Sequence, residues 1–236
     1  GSILGDKTRM NKLALIPEVY IRPTASGGSL GGVAKRTRES ILLCEAAGFD
    51  VVIIETVGVG QSETMVKEMV DFFLLLMLAG AGDELQGIKR GIMEMADALV
   101  ITKADGDNEA NAKRARNEYK NAMHLFPPNN NGWIPKAMTC SAYTNSGIPD
   151  IWDVIDSYVN QMTISGFIDL NRRDQEVFWF KETLKEMLVQ HFMNAKGIED
   201  KIKQIETNLH NGQGNAFSDA KELMTFYITQ IHHAKD

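Results

Sequence analysis

Apolar residues along this 236-residue chain follow two patterns. From 19 to 140, short runs of β-branched and aliphatic residues recur at 19–23, 51–54, 72–77, 98–102 and 136–140. Runs of this length, bounded by Gly, Asp or Pro, predict strands, and 51–54 (VVII) predicts one buried on both faces of a parallel sheet. Between them the apolar positions take the helical period, at 33–47, 62–70, 88–96, 108–124 and 151–162. Strands alternating with helices imply βαβ units and an α/β fold with a doubly wound, mostly parallel sheet. In the first helix Ile41, Leu42, Cys44, Ala46 and Ala47 should cover one side and Gly48 should end it, with Lys35, Arg36 and Arg38 on a solvated face.

From Gly166 the strand pattern stops. The stretch 175–194 places Val177, Phe180, Leu184, Met187, Leu188 and Phe192 in line, and 197–209 and 216–233 add two further helices. We therefore expect a sheet domain over 1–165 and a helical extension over 166–236. The apolar face of the extension suits self-association. The alternative is a helical layer capping the same domain.

Composition narrows the choice. The formal net charge is −6 with no clustered basic stripe, which argues against nucleic acid or an anionic membrane as partner. The longest apolar run, 72–79, is too short to span a bilayer. Cys44 and Cys140 are isolated and read as buried small hydrophobes in a reducing compartment. Cytoplasmic is the default location.

Three motifs then fall in order at predicted strand ends. Glu55-Thr56-Val57-Gly58 puts a carboxylate where it can orient water on Mg²⁺, beside a Gly amide that can meet a γ-phosphate. In Thr102-Lys103-Ala104-Asp105, the Asp carboxylate can accept both N–H groups of a guanine edge while the Lys stem packs over the base. Adenine offers no matching donor pair. Cys140-Ser141-Ala142 supplies a backbone amide for the guanine oxygen. Each motif is weak singly, but the ordered set points to a GTP-binding protein. A glycine loop at the start, Gly1-x3-Gly5-Asp6-Lys7-Thr8, imitates a phosphate-binding loop but is one residue short. It carries Asp6 where phosphate would sit and follows no strand.

The runs SILGDKTRM, SGGSLGGVAKRTRE, LLCEAAGFDVVIIETVGVGQSE, DFFLLLMLAGAGDELQGIK and TKAD resemble the MeaB/ArgK/MMAA-type GTPases, the G-protein chaperones of adenosylcobalamin-dependent methylmalonyl-CoA mutase. The resemblance covers 1–142 and is less specific over the helical tail. It implies GTP and GDP as ligands, Mg²⁺ as cofactor, a mutase as partner and a homodimer made by the C-terminal helices. By position it places Asp6 in a first switch near Mg²⁺. It makes Glu55 to Gln61 the second switch, with Glu55 in the Mg²⁺ role and Gly58 and Gln61 on the phosphate side. Asp83, Gln86 and Lys89 fall in a further switch loop facing the mutase. Thr102 departs from the commoner Asn of the base motif. The family's phosphate loop is not found in this sequence, so the chain reads as a G domain without its first strand and helix, expected to bind GTP poorly by itself. Two other readings are a kinase or transport-coupled ATPase and a metal-insertion GTPase. The second would want a Cys/His cluster near the switches, which the scattered His124, His191, His210, His232 and His233 do not offer.

Overall fold

The computed structural model describes residues 10–23, 30–56, 62–79, 90–127 and 129–233. In chain order they form α1 (Leu30–Ala46), α2 (Ser62–Lys67), β1 (Leu74–Leu78), α3 (Arg90–Met95), β2 (Ala98–Thr102), α4 (Glu109–Met123), β3 (Lys136–Thr139), α5 (Ile148–Ile164), α6 (Phe167–Met193), α7 (Ile198–His210) and α8 (Ala216–His233). The chain forms two compact units, Gly1–Phe178 and Trp179–Asp236, and α6 contributes to both.

In the first unit the three strands are parallel, in the order β1-β2-β3, with Leu74 level with Ala98 and Ala98 level with Lys136. Side chains alternate across a strand, so β2 feeds two cores. Leu99 and Ile101 pack with Met93, Ala112 and Tyr119 on one face, while Val100 packs with Cys140 and Ile151 on the other. Helices therefore cover both faces, and this is the doubly wound α/β arrangement that the alternation predicts. Each of these fully buried aliphatic side chains contributes roughly 1.5–3 kcal/mol.

At the N-terminal end of β2 the sheet is held by polar contacts. Asp97, 2% exposed, accepts 2.8 Å hydrogen bonds from Lys67 Nζ and from the Phe73 amide. Its carbonyl takes the Trp133 indole N–H at 2.9 Å. Tyr158 meets the Phe72 and Trp133 rings edge-on at 5.0 and 5.1 Å. That end is locked, which leaves the carboxyl ends of the strands for chemistry.

Several expectations need correction. Residues 51–54 form no strand: Val51, Val52 and Ile53 are exposed, Ile53 by 84%. No described strand lies beside them to supply a ladder, and β1 is itself an edge strand with Leu76 and Leu78 exposed. Residues 19–23 are likewise unpaired. On α1 the buried side is Ala34 and Ile41, whereas Leu42 and Leu43 are exposed and Cys44 is half-buried. Gly48, at φ +86°, ends that helix as expected, with the Phe49 amide reaching back to the Cys44 carbonyl at 3.1 Å. Arg38 is not solvated: its guanidinium donates to Glu176 at 2.5 Å. Helix α6 starts at Phe167, eight residues before the periodic stripe begins.

In the second unit, α7 packs against α8, and Ile198 is fully buried. Tyr227 hydrogen-bonds His191 Nδ1 at 2.5 Å and sets its ring edge-on to Phe192, and Lys201 lies over the Phe226 ring at 4.3 Å. The α6 stripe of Phe180, Leu184, Met187 and Leu188 stays exposed, as do Met224, Ile228 and Ile231 on α8.

Candidate functional site

The carboxyl ends of β2 and β3 come together through their backbones. The Cys140 amide donates to the Ile101 carbonyl and the Ala104 amide to the Cys140 carbonyl, each at 2.9 Å. This sets the Thr102–Asp105 turn beside the Ser141–Ser146 turn, which closes on itself through the Ser141 amide and the Ser146 carbonyl. Ser141, fully buried, donates its hydroxyl to Asp105 Oδ2, and Ser141 Oγ in turn accepts the Tyr143 and Thr144 amides at 3.2 and 3.1 Å. The serine is thus fixed from behind and fixes the carboxylate in front.

Asp105 Oδ1 has no donor among the described residues, and neither does the Ala142 amide an acceptor. A carboxylate with free acceptor capacity beside a free N–H is complementary to a ring edge that offers two donors and a carbonyl. Guanine is such an edge. Lys103 is exposed and sits at φ +56°, a left-handed conformation that non-glycine residues take at a cost. Asn108 holds that turn by donating its amide to the Lys103 carbonyl at 2.8 Å. Thr102 faces the sheet, with its hydroxyl donating to the Met77 carbonyl at 3.1 Å, so it ties β2 to β1. Neither Asn108 nor the Met77 contact was foreseen. The one signal for Asn108 is an Asx residue just ahead of a helix.

Glu55 is exposed, without an ion-pair partner among the described residues, at the end of the irregular 51–56 segment. Asp6, Gly58, Gln61, Asp83, Gln86 and Lys89 lie outside the described residues. No cluster of three His, Cys, Asp or Glu that could hold a metal occurs among the described residues, and no helix there is long and apolar enough to cross a membrane.

Burial raises the Cys140 thiol above its ordinary range, and burial with nearby Asp97 and Asp71 pushes the Tyr158 hydroxyl up as well. Below about pH 8.5 the thiol is neutral folded or unfolded. Above it the unfolded thiol ionises first, so stability is lost as pH rises toward the raised folded value. We expect the urea midpoint to fall between pH 8 and pH 10, and the Cys140→Ala variant to fall less steeply. A slope unchanged in that variant would remove Cys140 as the cause. In the native chain Cys44 should take a maleimide before Cys140 does.

The α/β fold agrees with the P-loop NTPase class of nucleotide-binding proteins, and the comparisons make that assignment. The family described as methylmalonyl Co-A mutase-associated GTPase MeaB matches residues 1–197. The chain belongs to that family. Escherichia coli GTPase ArgK is 45% identical over 230 residues, covering 98% of this chain and 70% of the relative. The mouse methylmalonic aciduria type A homolog, mitochondrial, is 45% identical over 212 residues, covering 90% of this chain and 51% of the relative, so the chain spans about half of that protein. The crystal structure of LAO/AO transport system kinase superposes with a TM-score of 0.71 at 39% identity, covering 92% of this chain and 68% of the other.

Proposed function

We propose that the protein binds and hydrolyses GTP with Mg²⁺, and that its nucleotide state gates adenosylcobalamin loading and protection on methylmalonyl-CoA mutase or a related acyl-CoA mutase. The observation that carries the nucleotide part is the Ser141–Asp105 hydrogen bond, which holds a carboxylate with free acceptor capacity beside the free Ala142 amide. The mutase part rests on the family's description.

In this reading Asp105, Ser141 and Ala142 read the base, Lys103 packs over it, and Thr102 aligns the strand that carries them. Mg²⁺ usually keeps several waters and takes one or two carboxylates plus substrate phosphates. Glu55, an exposed oxygen ligand without an ion-pair partner among the described residues, fits that modest demand, with Asp6 as a second carboxylate. The metal would neutralise charge building on the phosphates. Gly58 would meet the γ-phosphate and Gln61 would orient water. Phosphoryl transfer asks mainly for positioning, so no general base is assigned. Asp83, Gln86 and Lys89 would face the mutase. The exposed apolar residues of α6 and α8 suit a homodimer, and cytoplasmic stays the default location.

A second reading follows the word kinase in the solved relative's name: an ATP-dependent kinase or transport-coupled ATPase. A metal-insertion GTPase is a third. Calorimetric titration of GDP, GTP and ATP into the protein separates the readings. We expect guanine nucleotides alone to bind. Preference for ATP would end the GTPase reading.

A further inference from the structure

Helix α2 directly follows residues 55–61 in sequence, yet at six residues it is too short to be stable by its own hydrogen bonds. Its C-terminal carbonyls lack intrahelical partners. Gln175 supplies one: its amide, on a side chain within a residue only 3% exposed, donates to the Val70 carbonyl at 2.9 Å and the Lys67 carbonyl at 3.4 Å. One turn earlier on α6, the Arg172 guanidinium clasps Asp71 through two bonds of 2.8 and 2.5 Å and reaches Glu45 of α1 at 3.4 Å. One residue later, Glu176 accepts from Arg38 of α1. Positions 172, 175 and 176 share one helix face.

Between α2 and β1 the segment 67–73 is therefore held on both sides. Asp97 takes the Lys67 ammonium and the Phe73 amide, and α6 takes the Lys67 and Val70 carbonyls and the Asp71 carboxylate. These contacts are directional, and those of Asp97 and Gln175 are buried or part-buried. They fix position where apolar packing would tolerate sliding. From Trp179 the same helix continues to Met193, within the second compact unit.

We propose that Gln175, supported by Arg172, is a positioning residue that anchors the C-terminal end of α2 to α6 and so couples residues 55–61 to the C-terminal helices. The anchor rests on geometry alone. The coupling rests on the proposed reading of 55–61 as the nucleotide-sensing loop. Gln175→Leu keeps the buried volume and removes both donors, and Arg172→Gln, at a partly exposed site, weakens the clasp with little risk to folding.

Amide hydrogen exchange, read peptide by peptide, tests both parts. In the nucleotide-free chain, each variant should exchange about tenfold faster over 62–72 while 98–102 in β2 stays as slow as in the parent. Unchanged exchange over 62–72 in both variants overturns the anchor, and equal acceleration in β2 shows a general loss of stability and overturns it too. The protein is then compared with GDP and with a non-hydrolysable GTP analogue bound. In the parent, protection should change together over 62–72 and 179–193, and in Gln175→Leu the second change should vanish. If both changes persist in the variant, the coupling is wrong. If the parent shows no nucleotide-dependent change over 62–72, the loop reading and the coupling both fail, while the nucleotide-free result still decides the anchor.

Discussion

Replacing Asp105 by Asn is expected to weaken GDP and GTP binding by roughly 10²–10³-fold and to make xanthine nucleotides the preferred ligands. Guanine presents two N–H donors to this position, and the carboxylate answers with two acceptors. Asn keeps one acceptor and turns the other into a donor facing a donor. A buried mismatch of this kind costs about 1–3 kcal/mol beyond the lost charge-assisted bond, and each 1.4 kcal/mol is tenfold. Xanthine carries a carbonyl where guanine carries its amino group, so the Asn pattern matches it. The Ser141 hydroxyl can still donate to the Asn oxygen, which leaves the supporting loop in place. Calorimetric titration of GDP, XDP and ADP into the parent and variant proteins decides the matter. Equal losses for all three would indicate damage to the fold, and an unchanged GDP affinity would remove Asp105 from base reading.

The central part of the fold was legible because there the local pattern and the tertiary environment agree. The bounds 98–102 for β2 and 216–233 for α8 come directly from the sequence pattern. The same rule misplaces 51–54, since a β-branched run states a capacity for burial, and burial requires a partner strand on at least one side. Residues 167–174 precede the stretch 175–194 that carries the helical stripe, yet they are helical too. On that first part of α6, Arg172, Gln175 and Glu176 are polar because what they meet on α1 and on the segment after α2 is polar: carbonyls, carboxylates and a guanidinium.

The candidate site divides the same way. Residue types and spacing identify Asp105 and Ser141, but nothing in T-K-A-D reveals that Thr102 bonds the Met77 carbonyl of the neighbouring strand. Nor does it reveal that Lys103 takes a positive φ supported by Asn108. Those facts belong to the backbone path, which sequence periodicity does not report.

The largest stability effect at the site should come from a residue that touches no ligand. Gly147, at φ +73°, opens α5 and lies against the end of β3. A Cβ there would stand 2.3 Å from the Thr139 carbonyl oxygen and 3.3 Å from Cys140 Cα. Both obstacles are backbone, so relief requires moving the strand that presents Ser141. Gly147→Ala should therefore combine the left-handed strain of about 1 kcal/mol with a packing clash of roughly 1–3 kcal/mol. Gly132 supplies the control, because it has the same φ of +73° with open space around it. Gly132→Ala should show the strain alone. Urea unfolding of the two variants isolates the clash as their difference, and GDP affinity should fall in the first and hold in the second. Similar midpoints for the two would mean that the end of β3 yields freely. In that case the Asp105 carboxylate would owe its position to the Ser141 turn itself and not to the close approach of Gly147 behind it.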